Sequence, residues 1–166
     1  MTDDCEDLKR RRLRAWIRLL RFTRGTENHL REFLRTQYNT TLPRFDVAAA
    51  LHRHQKPMKM SELGKVLLVS NGNVTAVVER MEKDGLTVRS QSPDDRRSVL
   101  VSLTDLGQSK FEEMARAHED EVDTLFKNID GSDLDMMREL LRKFESSRQP
   151  NTVEDTGAEG SGLHRD

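Results

Sequence analysis

The chain has 166 residues, a formal net charge of −1, 34% charged residues and only 5% aromatic ones. That length favours one domain with a core of useful size, and the composition suits a helical, well-solvated protein. No run of 18 apolar residues occurs and no secretory apolar segment follows the acidic start, so a cytoplasmic protein with no membrane partner is expected. The small net charge hides an asymmetry. Residues 9–35 hold ten Lys/Arg and two acids, residues 55–103 hold eight and six, and residues 104–166 hold eight and sixteen. A surface that gathers the cations can meet a polyanion even though the whole chain is slightly acidic.

Taken in order, residues 1–7 are expected to be disordered. The single Cys5 cannot form an internal disulfide. Asp3, Asp4, Glu6 and Asp7 around it oppose a thiolate, so an inert thiol is favoured over a redox sensor. Residues 8–38 read as one long helix carrying two apolar stripes: Leu13, Trp16, Ile17 and Leu20, then Leu30, Phe33, Leu34 and Tyr38. Between them residues 23–28 are polar, which fits either a solvated stretch or a gap over a ligand cavity. Pro43 sits near the first position of the next helix, which buries Phe45, Ala48, Ala49 and Leu51 and runs to about residue 54. His52 and His54 lie two apart on that helix and diverge, so no metal site is expected there. Residues 55–57 form a linker, and residues 58–60 can add a short strand.

Residues 60–107 carry most of the information. A short helix from Glu62 to residue 67 places Leu63 and Leu67 on one face. Ser70 is suited to cap a second helix, whose stripe is Val74, Val77, Val78 and Met81 and whose stop is Gly85. The opposite face presents Asn71, Asn73, Thr75, Ala76 and Arg80, with Gly72 at its start and no acid before Glu79. Asn can pair bidentately with adenine and a Thr methyl can touch a thymine methyl, so this face suits a major groove; an ordinary solvated face is the plain alternative. Residues 86–90 and 99–103 alternate with period two, as strands do. The tip between them pairs turn-forming Ser92, Pro93, Asp94 and Asp95 with basic Arg96 and Arg97. Two arginines on a projecting tip suit a narrow minor groove. Asp95 is placed to hold Arg97 through a charge-assisted hydrogen bond.

Thr104 is expected to cap a long helix to about residue 128, with Phe111, Met114, Ala115, Val122, Leu125, Phe126 and Ile129 as its sparse apolar positions. Residues 129–131 are a turn. Ser132 with Asp135 starts a last helix striped by Leu134, Met137, Leu140, Leu141 and Phe144. Residues 149–166 are Gly-, Ser- and acid-rich and are expected to be a mobile tail. The order helix, turn, helix, hairpin is the plan of a winged helix-turn-helix DNA reader. The terminal helices carry more apolar stripe than one small core can cover, which predicts pairing with a second copy.

The same residues carry a family resemblance. Ser61-Glu62-Leu63, Val69-Ser70, Val74-Thr75, Arg80-Met81-Glu82, Asp84-Gly85-Leu86 and the run Asp94-Asp95-Arg96-Arg97 through Leu103-Thr104 to Gly107 resemble, without a gap, the MarR family of winged-helix transcription regulators. The likeness extends more weakly over residues 8–144. It departs at Gly64, where the family usually has Ala, and at Leu68, where its turn usually has Gly or a polar residue. The resemblance implies a mainly α chain with a small β wing, dimeric through interleaved first and last helices. It divides the chain into a disordered start (1–7), a dimerisation helix (8–42), a winged helix-turn-helix (43–103), dimerisation helices (104–148) and a disordered acidic tail (149–166). The expected DNA contacts are Ser70, Asn71, Gly72, Asn73, Thr75, Ala76, Arg80, Arg96 and Arg97, made to a pseudo-palindromic duplex.

No GxSxG, HExxH, P-loop or CxxC pattern occurs, so no catalytic residue, cofactor or metal is expected and the chain is not expected to be an enzyme. The cationic excess of residues 9–35 fits an anionic effector or pairing with the acidic helix after residue 104; both readings stand. Leu30-Arg31, Arg35, residues 40–46 and residues 70–75 look like a branch of the family that represses aromatic-acid catabolism, some of whose members respond to hydroxycinnamoyl-CoA thioesters. That likeness implies a ligand-released repressor of a catabolic operon. Arg18, Arg21 and Arg24 would meet phosphate of an acyl-CoA thioester, and Trp16, Phe22 and Phe45 its aryl group. A constitutive architectural DNA binder and a winged-helix protein–protein adaptor are the alternatives.

Overall fold

The computed structural model describes residues 2–93, 95 and 98–146, the side chains of residues 2–4 and 71 apart. Its elements are α1 (Thr2–Tyr38), α2 (Leu42–His54), β1 (Met58–Lys59), α3 (Met60–Leu67), α4 (Asn71–Lys83), β2 (Thr87–Gln91), β3 (Val99–Leu103), α5 (Asp105–Phe126) and α6 (Gly131–Ser146). The expected tail at 149–166 lies outside the described residues. The chain divides into two compact units, Met1–Phe126 and a second that begins at Lys127.

In the first unit, α1 starts at Thr2 rather than at residue 8, so residues 2–7 are helical where disorder was expected. Acids near a helix start complement its dipole, and Glu6 pairs with Arg10 one turn on, at 3.8 Å. The two stripes of α1 have different fates. Leu30 and Leu34 are buried, with Phe33 and Tyr38 edge to face at 6.0 Å. Leu13, Trp16 and Ile17 stay exposed.

Helix α2 starts as the sequence predicts, with Pro43 in its first turn, and ends in a left-handed Gln55. It buries Phe45, Val47, Ala48 and Leu51, while Ala49 is only half-buried. Around α2 pack Leu34, Met58, Leu63, Val74, Val78, Met81, Val101 and Phe111, one contiguous core joining every element from α1 to α5 except β2. Truncating any of the fully buried members, such as Leu34 or Leu63, is expected to cost about 2–5 kcal/mol.

The sheet is antiparallel with order β1-β3-β2. Met58 faces Val101, and β2 runs against β3 from Thr87↔Leu103 to Gln91↔Val99. The expected third strand is therefore present. The phase of β2 favours Thr87 over Val88: Thr87 is buried and donates to the Val78 carbonyl at 3.4 Å, while Val88 is exposed.

In the second unit, α6 buries none of its residues. Its start is set by Asp130 and Asp133, not by Ser132 and Asp135. The Asp130 carboxylate accepts from the Asp133 backbone at 2.9 Å and the Ser132 hydroxyl at 2.8 Å, and Asp133 returns a longer contact at 3.4 Å. Those bonds hold the Asp130 carboxyl below the usual range, the Asp133 backbone bond foremost. Aspartate is as good an N-cap as serine, and here it lies where the turn needs it.

Candidate nucleic-acid interface

Helix α4 is oriented by what it buries. Val74, Val78 and Met81 face the core, which turns Gly72, Asn73, Ala76 and Arg80 outward. Ser70 occupies the cap position in extended geometry, but its hydroxyl makes no capping bond. The other end closes as predicted. Gly85 adopts φ +70°, its N–H donates to Glu82, and the Leu86 N–H reaches back to Met81 at 2.8 Å. These two bonds satisfy the last carbonyls of the helix and send the chain straight into β2.

Thr104 ties that corner to α5. Its hydroxyl donates to the Gly85 carbonyl at 2.6 Å and accepts from the Gly107 N–H at 3.0 Å, which is the predicted cap. Arg89 on β2 ties the strand to α4. Its guanidinium meets Glu82 at 2.6 Å and Glu79 at 3.7 Å. The Glu82 partnership holds Arg89 above and Glu82 below their usual ranges. Glu79, the acid that interrupts the outward face of α4, thus carries its own counterion. The hairpin tip is held by Ser98, which donates from its N–H to the Asp95 carbonyl at 2.8 Å and from its hydroxyl to the carboxylate at 2.7 Å. Thr75 is half-buried on the flank of α4. Arg96, Arg97 and the Asn71 side chain, and with them the expected Asp95–Arg97 bond, lie outside the described residues.

The six expected effector residues are not brought to one place. Trp16 is 56% exposed, and Arg18, Arg21 and Arg24 are exposed on α1. Phe22 packs edge to face on Phe126, centroids 5.7 Å apart. Phe45 is buried, stacked on His118 at 4.5 Å and tilted against Phe111. Burial under that stack pushes the His118 imidazole below its ordinary value. Phe45 is thus a core residue of this chain, a role its stripe position on α2 already allowed.

A cavity of about 410 Å³ lies instead between α1, α2 and α4. Glu27 and Arg31 of α1, Asp46 of α2, and Asn73 and Arg80 of α4 are the polar members of an otherwise apolar wall. Asp46 is held above the usual carboxylate range, first by desolvation in the cavity and then by Glu27. Arg31 is already engaged by Glu27 at 2.5 Å and Asn28 at 2.9 Å. Among the described residues Arg80 makes no ion pair. Of the polar gap of α1, residues 23–28, Glu27 alone lines this cavity, and most of the gap is exposed. Asp46 was missed as a wall residue because nothing in its own helix pattern distinguishes it from a solvated acid. Among the described residues no group of His, Cys, Asp and Glu could hold a metal, and no helix is long and apolar enough to cross a membrane. His52 turns toward Glu112 and His54 toward the Lys56 carbonyl.

A tri-helical core, a three-stranded wing and an outward polar helix tied to that wing define a winged helix-turn-helix protein. Comparisons specify which. The MarR family model matches residues 41–99. An uncharacterized HTH-type transcriptional regulator of Bacillus subtilis, YkoM, is 31% identical over 122 residues, covering 74% of this chain and 77% of that one. A mutant of Escherichia coli MarR solved with operator DNA superposes with a TM-score of 0.69 at 29% identity, covering 76% of this chain and 91% of that one. Sco3205 of Streptomyces coelicolor shares the fold, with a TM-score of 0.75 at 22% identity over 84% and 89%. The chain belongs to the MarR family of winged-helix transcriptional regulators, which are DNA-binding regulators and not enzymes.

Proposed function

We propose that this regulator binds a pseudo-palindromic operator as a homodimer, represses a catabolic operon for aromatic compounds, and is released by an anionic aryl or aryl-CoA effector. The observation that carries the DNA part is the outward face of α4. It joins Asn73 and Ala76 to Arg80, which makes no ion pair among the described residues, and Arg89 meets the acid beside them, Glu79. The Escherichia coli relative solved with operator DNA supports DNA as the partner. Ser70, Asn71, Gly72 and Thr75 complete that face in our reading, and Arg96 and Arg97 carry the wing to the minor groove. Binding should be measured on the DNA upstream of the chain's own gene. Arg80→Ala and Arg97→Ala should each weaken it about tenfold or more, the scale of one lost base or groove contact. Unchanged affinity in both would remove these roles.

The effector part rests on α1. Arg11, Arg12, Arg14, Arg18, Arg21 and Arg24 make no ion pair among the described residues, so within one chain α5 does not neutralise them. A ligand in the cavity would touch α1, α2 and α4 together, and it shifts the protein only so far as it prefers one arrangement of these helices. Thermal-shift measurements with free aryl acids and their CoA esters test the class. Stabilisation by neither would exclude it.

A further inference from the structure

The turn between α3 and α4 holds the most conspicuous apolar exposure of the first unit. Leu68 is 90% exposed, flanked by exposed Val66 and Val69. Its backbone stands at φ 55°, ψ 34°, the left-handed region that a leucine side chain disfavours. Folding gains nothing from leucine at this position: the side chain packs on nothing, and the conformation favours glycine or asparagine.

Its surroundings specify what covers it. Leu68 and Val69 share a shallow depression with Ser61 and Lys65, a lining with one cation, a hydroxyl and no acid. Val69 also lines the cavity wall next to Asn73, Ala76 and Arg80, so the apolar patch is continuous with the outward face of α4. A surface that is apolar at its centre and basic at its edge, joined to a base-reading helix, complements the edge of a major groove. Thymine presents a methyl group there, and phosphates flank it.

We propose that Leu68 is a specificity residue that packs on a thymine C5-methyl of the operator, while Lys65 pairs with a neighbouring phosphate. This rests on the DNA-reading assignment above. The leucine is kept in a strained, solvated position because its contact surface is supplied by the duplex.

The test uses the full chain and the duplex it enriches from a random-sequence pool. In that duplex each thymine is replaced in turn by uracil, which removes only the methyl. Wild-type binding should weaken about three- to tenfold at one thymine per half-site. Leu68→Gly should bind the parent duplex about as weakly and show no further loss at that thymine. Its melting temperature should stay at or above that of the wild type, which separates a lost contact from a damaged turn. Lys65→Ala should weaken binding evenly across all these duplexes and reduce the salt slope by about one. Enrichment of a duplex that Leu68→Gly binds with wild-type affinity, or with the same pattern of uracil sensitivity, would overturn the role of Leu68 alone. Failure to enrich any sequence would overturn the DNA-reading assignment and this proposal with it.

Discussion

Gly107 has no room for a side chain: a Cβ built on it would stand 1.9 Å from the Leu86 carbonyl oxygen and 2.9 Å from its carbon. Both are backbone atoms of the corner that Thr104 clamps, so neither can swing aside. Gly107→Ala is expected to destabilise the fold by about 2–3 kcal/mol, as overpacking does, and to lower the melting temperature by roughly 5–10 °C. A melting curve like the wild type's would show that the corner is looser than this geometry. His118 gives the residue scale a pH signature. Its folded-state value lies below the ordinary 6.5 because the imidazole is desolvated. Below 6.5 the unfolded chain takes up the proton more readily than the folded one, so stability is complete above that pH and declines as pH falls through the window beneath it. Denaturant titrations should show this decline in the wild type and a flatter profile in His118→Phe, which keeps an aromatic ring against Phe45. Equal profiles would mean that the imidazole is not desolvated in solution. Some of this scale was legible beforehand. Gly107 and Leu68 stood out by their match and mismatch to a motif, but the clash and the positive φ behind them need coordinates. The burial of Phe45 was legible in its stripe on α2, but its stacking on His118 was not, because the two residues are far apart in sequence.

Helix α4 and the wing behave as one part. The glycine stop, the Thr104 cap and the Arg89 bridge join the reading helix to the strand that carries the tip. Removing the bridge by Arg89→Ala should free β2 from α4. Amide exchange should then accelerate across residues 87–91 and leave α2 unchanged. Protection unaltered in β2 would assign the coupling to backbone pairing with β3 alone. The Gly85 stop and the Thr104 cap were readable because Gly and Thr act locally, within a few residues of where they stand, whereas Ser70 takes its cap position without the expected hydroxyl bond. The short strand β1 was readable only as an option, since its pairing with Val101 is a long-range event. The phase of β2 was not readable for the same reason: Val88 is the more apolar residue, yet the core lies on the side of Thr87, whose hydroxyl finds the Val78 carbonyl. The start of α1 was set too late because charge alone does not separate a solvated helix from a disordered arm.

Each unit leaves an apolar stripe open. In the first it is Leu13, Trp16 and Ile17 of α1; in the second it is Leu134, Leu140, Leu141 and Phe144 of α6. Homodimers are typical of the family, and a second copy is the partner we propose for both stripes. Charge placed on the stripe should oppose that pairing. Leu141→Glu, at a half-exposed site on a helix with no buried residue, is expected to shift the chain from dimer to monomer in light scattering while helical content is retained. A dimer undisturbed by this change would exclude α6 from the interface. Paired readers also fix the spacing of what is read, with half-sites about one duplex turn apart.

The most direct measurement is the binding stoichiometry on the duplex the chain selects, taken together with its cleavage footprint. Two chains per duplex, two protected patches centred about one turn apart, and loss of both patches in Arg80→Ala are expected. One chain per duplex, or a footprint that Arg80→Ala leaves intact, would contradict this expectation.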